Sequence, residues 1–321
     1  FFFDRHRGAE IFTRAVQGAY VGFDGDEKNV SLNPFDCRNT PNNRAFLRRW
    51  LKAITMVDDA LSEKEIGRAV TTAFDYLKPE ERILKNLYKS CFSPTGNMRR
   101  ELFRWINPDQ YGNILNAEND SLDLASKRFM SFDFTHIFED ETLAPAVISY
   151  IMHRIMAETG DTGVPSLIMI DETAPMLKHP MFRDYFIIGL QEGRKKRQAY
   201  LCAFQQPNII DKLGVGEVIR GQCQTVIFFR NPQAMPEDYA NWNLTQREID
   251  FIFGKSYRDF PYAILLSRPA TGESVILDVD LSGLGPYLKL YNSGRKNVLL
   301  VEELIKEYGE ANFVTKYLNI G

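Results

Sequence analysis

Ser166-Leu167-Ile168-Met169-Ile170-Asp171-Glu172 carries an uninterrupted apolar run straight into two adjacent carboxylates, with Val164-Pro165 bounding it on the amino side. A short apolar run framed by turn residues predicts a strand buried on both faces of a parallel sheet. Leu167, Ile168, Met169 and Ile170 are then core residues, and the acids fall at the strand's carboxyl end, the edge where open α/β sheets bind ligands. At such an edge Asp171 suits a Mg²⁺ ion held through water. Glu172 suits the polarisation of the water that attacks a γ-phosphate. The same letters also describe a strand that merely ends in a solvated Asp-Glu pair, so the rest of the chain has to separate the two readings.

The 321 residues are enough to bury a large core, and length alone gives a prior of about two domains. A net charge of −3 provides no global basic field for nucleic acid or acidic lipid, so any such contact is local. No apolar run approaches the roughly 20 residues that span a bilayer. Phe1-Phe2-Phe3 runs directly into Asp4-Arg5-His6-Arg7 and is too short for a signal-peptide core. Cys37, Cys91, Cys202 and Cys223 lack metal-ligand spacing and read as reduced structural thiols.

In order, Phe1 to Asp4 reads as the tail of a buried strand and Gly8 to Gln17 as a helix; a Gly- and Asp-rich connection over 18–36 follows. A domain rarely begins inside a central strand, so the expectation is that the sequence is a fragment. From Thr40 the pattern turns helical. Thr40-Pro41 is a helix start, Ser62 to Glu65 fits a capping box, Pro79 opens another helix and a further one spans 95–106. This stretch carries a basic surplus that includes Arg48, Arg49 and Lys52. Its aromatics Phe46, Trp50, Phe103 and Trp105 fit helix-core spacing better than a base-stacking platform. A strand near Phe129 to Phe134 and an amphipathic helix from Leu143 to Ala157 lead to the 166–172 run; His153 on that helix reads as structural. A helix ending at Gly193, a basic Arg194 to Arg197 loop, a strand from Ala199 to Phe204 and a strand from Thr225 to Phe229 continue a parallel α/β alternation. An antiparallel hairpin at 263–267 and 274–279 and two closing helices complete the chain.

Taken together, Phe3 to Phe12, Asn33-Pro34-Phe35, Leu167 to Glu172, Gly193 to Lys196, Gln205-Gln206-Pro207, Leu281 to Leu284 and Ser293-Gly294-Arg295 resemble the VirB4 family. These are the large ATPases of bacterial type IV secretion and conjugation machines, related to the HerA and FtsK translocases. The resemblance implies an α/β, RecA-like P-loop NTPase core with a mainly parallel sheet, interrupted by an all-helical insertion. Residues 1–39 would be the first part of the core, 40–125 the insertion and 126–321 the remainder with carboxyl-terminal helices. It implies ATP and Mg²⁺ as cofactors, with Asp171 holding the metal through water. Glu172 would activate water, Gln205 would sense the γ-phosphate, Arg194 would reach a neighbouring subunit's nucleotide, and Arg295 would lie near the nucleotide. It also implies a hexameric homo-oligomer working with other secretion components at the cytoplasmic face of the bacterial inner membrane, and leaves open a direct DNA contact.

The sequence departs from the family at Phe204, where a Thr often precedes the sensor glutamine, and at Ala174, where an aromatic is frequent. Gly-x₄-Gly-Lys-[Ser/Thr] is absent. The nearest approach, Gly216 to Gly221, is followed by Gln222-Cys223 and lacks the lysine and hydroxyl that hold phosphate and metal. The family's phosphate loop precedes the Phe-Asp-Arg strand, which puts it upstream of Phe1. Two alternatives stand beside the secretion ATPase: a HerA- or FtsK-like DNA translocase, and a docking scaffold with an inactive nucleotide site.

Overall fold

A computed structural model describes residues 1–23 and 30–320. Its centre is a parallel sheet in the order β2-β3-β1-β4-β5, from β1 (Phe2–Asp4), β2 (Ala19–Gly22), β3 (Met130–Asp133), β4 (Ser166–Ile170) and β5 (Gln198–Cys202). Every neighbouring pair is parallel, with Phe3 opposite both Phe132 and Ile170, and Ile170 opposite Cys202. Parallel neighbours cannot be joined by tight turns, so each connection is a crossover that carries helices over the sheet. The crossovers include α1 (Glu10–Ala15) between β1 and β2, and a long excursion between β2 and β3. β2 lies inside the stretch expected to be only a connection; Ala-Tyr-Val-Gly is too short to show a period, and pairing with β3 supplies what its own propensity does not. Residues 24–29 of that connection lie outside the described residues.

The excursion holds α2 (Pro41–Thr55), α3 (Ala60–Asp75), α4 (Leu84–Cys91), α5 (Asn97–Ile106) and α6 (Gly112–Leu115), with no strand among its described residues. Thr40 caps α2, accepting from the Asn43 amide at 3.1 Å. The cap of α3 is Asp59 rather than Ser62, because the Asp59 carboxylate accepts from both the amide and the hydroxyl of Ser62. Glu65 instead turns inward to the Ser93 amide. Pro79 opens only a 3₁₀ turn to Glu81, and the chain is extended at Ile83 before α4 begins.

These helices pack against the helix that covers the sheet. The buried Trp50 donates from Nε1 to the Ala146 carbonyl on α7 (Leu143–Thr162), the crossover helix between β3 and β4, and one apolar cluster runs from the helical layer to Phe3 and Ile170. A large apolar helix face is more stable covered than projecting into water.

α8 (Thr173–Leu177) and α9 (Pro180–Glu192) connect β4 to β5, and α10 (Ile209–Lys212) and α11 (Gly216–Gln222) follow. The parallel order then ends. β6 (Val226–Phe228) pairs antiparallel with β7 (Ala263–Arg268), which pairs antiparallel with β8 (Glu273–Asp278), in a separate three-stranded sheet packed on α12 (Gln246–Ile252). The expectation that the strand at 225–229 extends the parallel sheet, with the hairpin at its edge, is therefore corrected. Both β5 and β6 are outer strands of their sheets.

A kinked 3₁₀ segment, Ser282–Tyr291, leads to α13 (Arg295–Tyr308) and α14 (Phe313–Asn319). They close a small cluster of their own against Ile11 of α1. Around it Glu302, Arg7, Glu10, Arg14 and Glu310 form a chain of alternating charge, with Glu10 buried between its two arginines at 2.5 and 2.9 Å.

β4 is covered on one face only. Ile168 and Ile170 are buried, whereas Leu167 on β4 and Leu201 on β5 are 47% and 53% exposed. The apolar run thus overstates the burial: a continuous hydrophobic stretch marks both faces as apolar, but among the described residues nothing covers this one.

His153 ties α7 to the helical layer. Its Nε2 lies 2.8 Å from Asn43 Oδ1, the Tyr185 hydroxyl of α9 donates to Nδ1 at 3.2 Å, and its ring stacks on Phe46 at 3.9 Å. Burial, with Arg49 and Arg154 nearby, lowers its pKa to about 3. Unfolded His153 gains a proton below about 6.5 and folded His153 only near 3, so this residue's contribution to stability is lost as pH falls through that window. His153→Gln should flatten the acid side of a melting-temperature profile between those pH values while lowering the neutral melting temperature.

Gly189 sets how closely α9 approaches β5: a Cβ there would lie 2.2 Å from the Tyr200 hydroxyl oxygen and 2.6 Å from ring carbon Cζ. Gly189→Ala should cost about 1–3 kcal/mol in denaturant unfolding, as overpacking does. Adding Tyr200→Val, which opens the space, should recover part of that loss.

Candidate nucleotide-hydrolysis site

The parallel register lines up three acids along one edge: Asp4, Asp133 and Asp171 end or follow β1, β3 and β4. They are not equivalent. Asp4 is buried and accepts from the amides of Arg5 and Ala9 at 2.8 and 2.9 Å, which fixes the turn from β1 into α1. Burial nonetheless raises its pKa to about 6, with the charge of Asp133 adding to the rise. Asp133 accepts from the amide and hydroxyl of Thr135 at 2.9 and 2.5 Å. Among the described residues, half-buried Asp171 accepts only from the adjacent Glu172 amide, at 3.0 Å. Of the three it has the most acceptor capacity left, since an ionised carboxylate offers about four lone-pair sites.

Glu172 stands where the strand turns into α8, in the left-handed region at φ 50° and ψ 55°. A non-glycine residue there pays a steric cost and marks a turn that surrounding contacts over-determine. Those contacts are visible: the Asp171 amide donates to Phe3, the Thr173 amide donates to Ala203, and the Thr173 hydroxyl donates to Ile170. The Glu172 side chain is held from both sides. Gln205 Nε2 donates to Oε1 at 3.0 Å, and Arg5 Nη1 forms an ion pair with Oε2. The structure therefore brings Asp171, Glu172 and Gln205 together at one edge, although β5 ends at Cys202 and Gln205 sits in the loop beyond it.

Arg194 and Arg295 lie outside this constellation. Arg194 is exposed in the turn after α9, and Arg295 is exposed as the first residue of α13. Neither guanidinium makes a hydrogen bond or ion pair among the described residues. The other arginines in this half of the chain differ: Arg220 is bound to Asp211 at 2.6 and 3.1 Å, and Arg230 is turned to the Tyr257 carbonyl. Gly216 to Gly221, the near miss of a phosphate loop, is helical, and Gly216 serves the Asp211–Arg220 contact, since a Cβ there would meet Asp211 Oδ1 at 2.2 Å.

Asp171 and Glu172 provide hard oxygen donors, but no group of three or more His, Cys, Asp or Glu among the described residues could enclose a metal. That donor set fits Mg²⁺ in the mode where one or two carboxylates share the ion with water and phosphate. It does not fit a dedicated protein cage. The four cysteines are free, and burial raises the thiols of Cys37 and Cys202 to about 12, which leaves them protonated and unreactive. The basic surplus of the helical layer is partly answered within it, for Lys52 pairs with Asp58 and Glu63 and Arg44 pairs with Asp75. No helix among the described residues is long and apolar enough to cross a membrane.

Arg5 is the site residue that sequence reasoning missed. Its signals were a cation directly after the acid that ends a central strand and its place in the Phe3 to Phe12 stretch that carries the resemblance.

No protein-family model matches the chain. Against curated proteins it is 29% identical over 315 residues to the type IV secretion system protein VirB4 of Bartonella henselae, a match covering 96% of this chain and 39% of that protein. It is 25% identical over 333 residues to the conjugal transfer protein TrbE of Rhizobium radiobacter, again over 96% of this chain and 39% of the relative. The chain thus spans about two fifths of the length of the relatives it matches. Among solved structures, VirB4 of Thermoanaerobacter pseudethanolicus superposes with a TM-score of 0.67 at 12% identity, covering 87% of this chain and 81% of the other. The fold is shared with that VirB4, and sequence similarity to VirB4 and conjugal-transfer proteins runs almost from end to end of this chain.

Proposed function

We propose that this chain supplies the hydrolytic half of an ATPase that energises type IV secretion, in substrate transfer or pilus assembly. The observation that carries the reading is Glu172 on its strained turn, flanked by Asp171 and bonded to Gln205 at the carboxyl edge of a parallel sheet. Asp171 would share Mg²⁺ with water and the nucleotide phosphates. The bound Mg·ATP supplies the phosphoryl group and the charge that neutralises it. Glu172 would orient the attacking water through its unshared lone pairs, and Gln205, bonded to the same carboxylate, would report the γ-phosphate. A phosphate cradle is not among these residues. The open edge of β5 and the uncovered face bearing Leu167 and Leu201 suit delivery of such a segment from the remainder of the protein.

Residues 40–125 form the helical insertion in this reading, supported by five consecutive helices that contribute nothing to either sheet. Arg194 would act on the nucleotide of a neighbouring copy in a hexameric ring at the cytoplasmic side of the inner membrane. Its support is an exposed guanidinium uncommitted among the described residues, whereas Arg220 and Arg230 are engaged. A permanently charged, forked donor suits the charge that develops in phosphoryl transfer. Arg295 has no comparable support beyond its exposure and is assigned only to the surroundings of the nucleotide.

In the full-length protein, Glu172→Gln should bind ATP within a few-fold of wild type and hydrolyse it at least about a hundredfold more slowly, because such groups contribute about 10²–10⁴-fold. Near-normal turnover would remove Glu172 from the chemistry. Mixing Arg194→Ala subunits with Glu172→Gln subunits should restore measurable hydrolysis, since some interfaces then join an intact arginine to an intact glutamate. A trans arginine is worth about 10³–10⁵ in rate, so a few restored interfaces would stand above background. A mixture no more active than its assembled components would return Arg194 to the role of a helix-end cation.

A further inference from the structure

The turn from β1 into α1 is built at a steric cost. His6 and Arg7 both have φ near +60°, two consecutive non-glycine residues in the left-handed region. Contacts from four directions hold them there. Asp4 accepts from the amides of Arg5 and Ala9, the His6 amide donates to Thr135 at the end of β3, and Arg7 bridges Glu10 and Glu302 of α13. What this rigid turn presents is Arg5. Its guanidinium lies over the Phe138 ring at 5.5 Å, and Nη1 forms the ion pair with Glu172, 167 positions away in sequence. Arg5 Nε is buried without a hydrogen-bond partner, so the side chain accepts an unsatisfied donor in order to reach that carboxylate.

A single half-buried ion pair like this one contributes modestly to stability. Its geometric effect is larger. Glu172 has three side-chain torsions and sits at a turn; Gln205 fixes one oxygen and Arg5 the other. With each oxygen receiving a single donor, the carboxylate plane is set and its remaining lone pairs point in defined directions. We propose that Arg5 is a positioning residue for hydrolysis: it touches neither nucleotide nor water and acts by fixing the aim of the Glu172 carboxylate. The proposal rests on the reading of Glu172 as the water-orienting group.

The test uses the full-length protein with Arg5→Gln, Arg5→Lys, Glu172→Gln and the Arg5→Gln/Glu172→Gln double variant. Arg5→Gln should lower kcat about tenfold to a hundredfold, the range that misplacement of a reacting group produces. The KM for ATP should stay within about threefold, since no binding contact is removed. Arg5→Lys, which keeps the charge and loses the fork, should recover part of kcat. In single-turnover measurements the double variant should be no slower than Glu172→Gln alone, because residues that act through one another are not additive. Amide hydrogen exchange gives a readout free of turnover: the Glu172 and Thr173 amides should exchange several-fold faster in Arg5→Gln at unchanged melting temperature. Wild-type kcat in Arg5→Gln, or a double variant slower than Glu172→Gln by the full Arg5→Gln factor, would overturn the proposal. Near-normal turnover of Glu172→Gln itself would instead reject the underlying reading of the site, which separates the two failures.

Discussion

Parallel pairing of β1 on both sides is the constraint from which the rest of the molecule follows. Three residues long, it is bonded to β3 and β4 at once, with Phe3 fully buried between them. A strand so placed cannot reach either neighbour by a hairpin, so the chain must leave the sheet and return, and the helical layers are the means of return. The register then makes chemistry a matter of position. Whatever follows β1, β3, β4 or β5 is delivered to one edge, which is how Arg5, Glu172 and Gln205 meet and His6 reaches Thr135 although they lie far apart in sequence.

Much of this was legible in the letters. The acids closing an apolar run located the edge, the Thr40-Pro41 start located the first helix of the helical layer, and the resemblance over the whole chain pointed to the VirB4 proteins to which sequence and fold are similar. What escaped was set by tertiary pairing. β2 has no periodicity of its own, and β6 reads like another parallel strand because a short Val-Ile-Phe run does not encode the direction of its neighbour. Ser62 looked like a cap, but the helix starts one turn earlier, at Asp59, whose carboxylate takes the Ser62 amide and hydroxyl. Arg5 was hidden for a different reason: its partner Glu172 is brought near only by the sheet.

The buried polar groups outside the site divide the labour of holding the layers together. Trp50 and His153 join the helical layer to α7 through single directional bonds inside an apolar cluster. Asp120, Tyr150 and Arg154 form a second tie, in which the Tyr150 hydroxyl donates to Asp120 and the guanidinium bridges Asp120 and Glu158. Such networks contribute orientation more than net stability, because desolvation offsets much of the attraction. They fix how the helical layer meets α7, where apolar contact alone would tolerate sliding.

The carboxyl-terminal helices are fastened differently. Their apolar patch against α1 is small, and the row Glu302, Arg7, Glu10, Arg14, Glu310 surrounds it like the teeth of a clasp. Attraction between partly exposed charges fades as the Debye length contracts from about 10 Å at 0.1 M salt to about 3 Å at 1 M, while apolar burial does not weaken in the same way. The outer links of the clasp, Arg7 to Glu302 and Arg14 to Glu310, are therefore the ones that ionic strength loosens, while the buried Glu10 keeps hold of both arginines. Since Arg7 also belongs to the turn that carries Arg5, the tail of the chain and the edge of the sheet share a single ionic fastening.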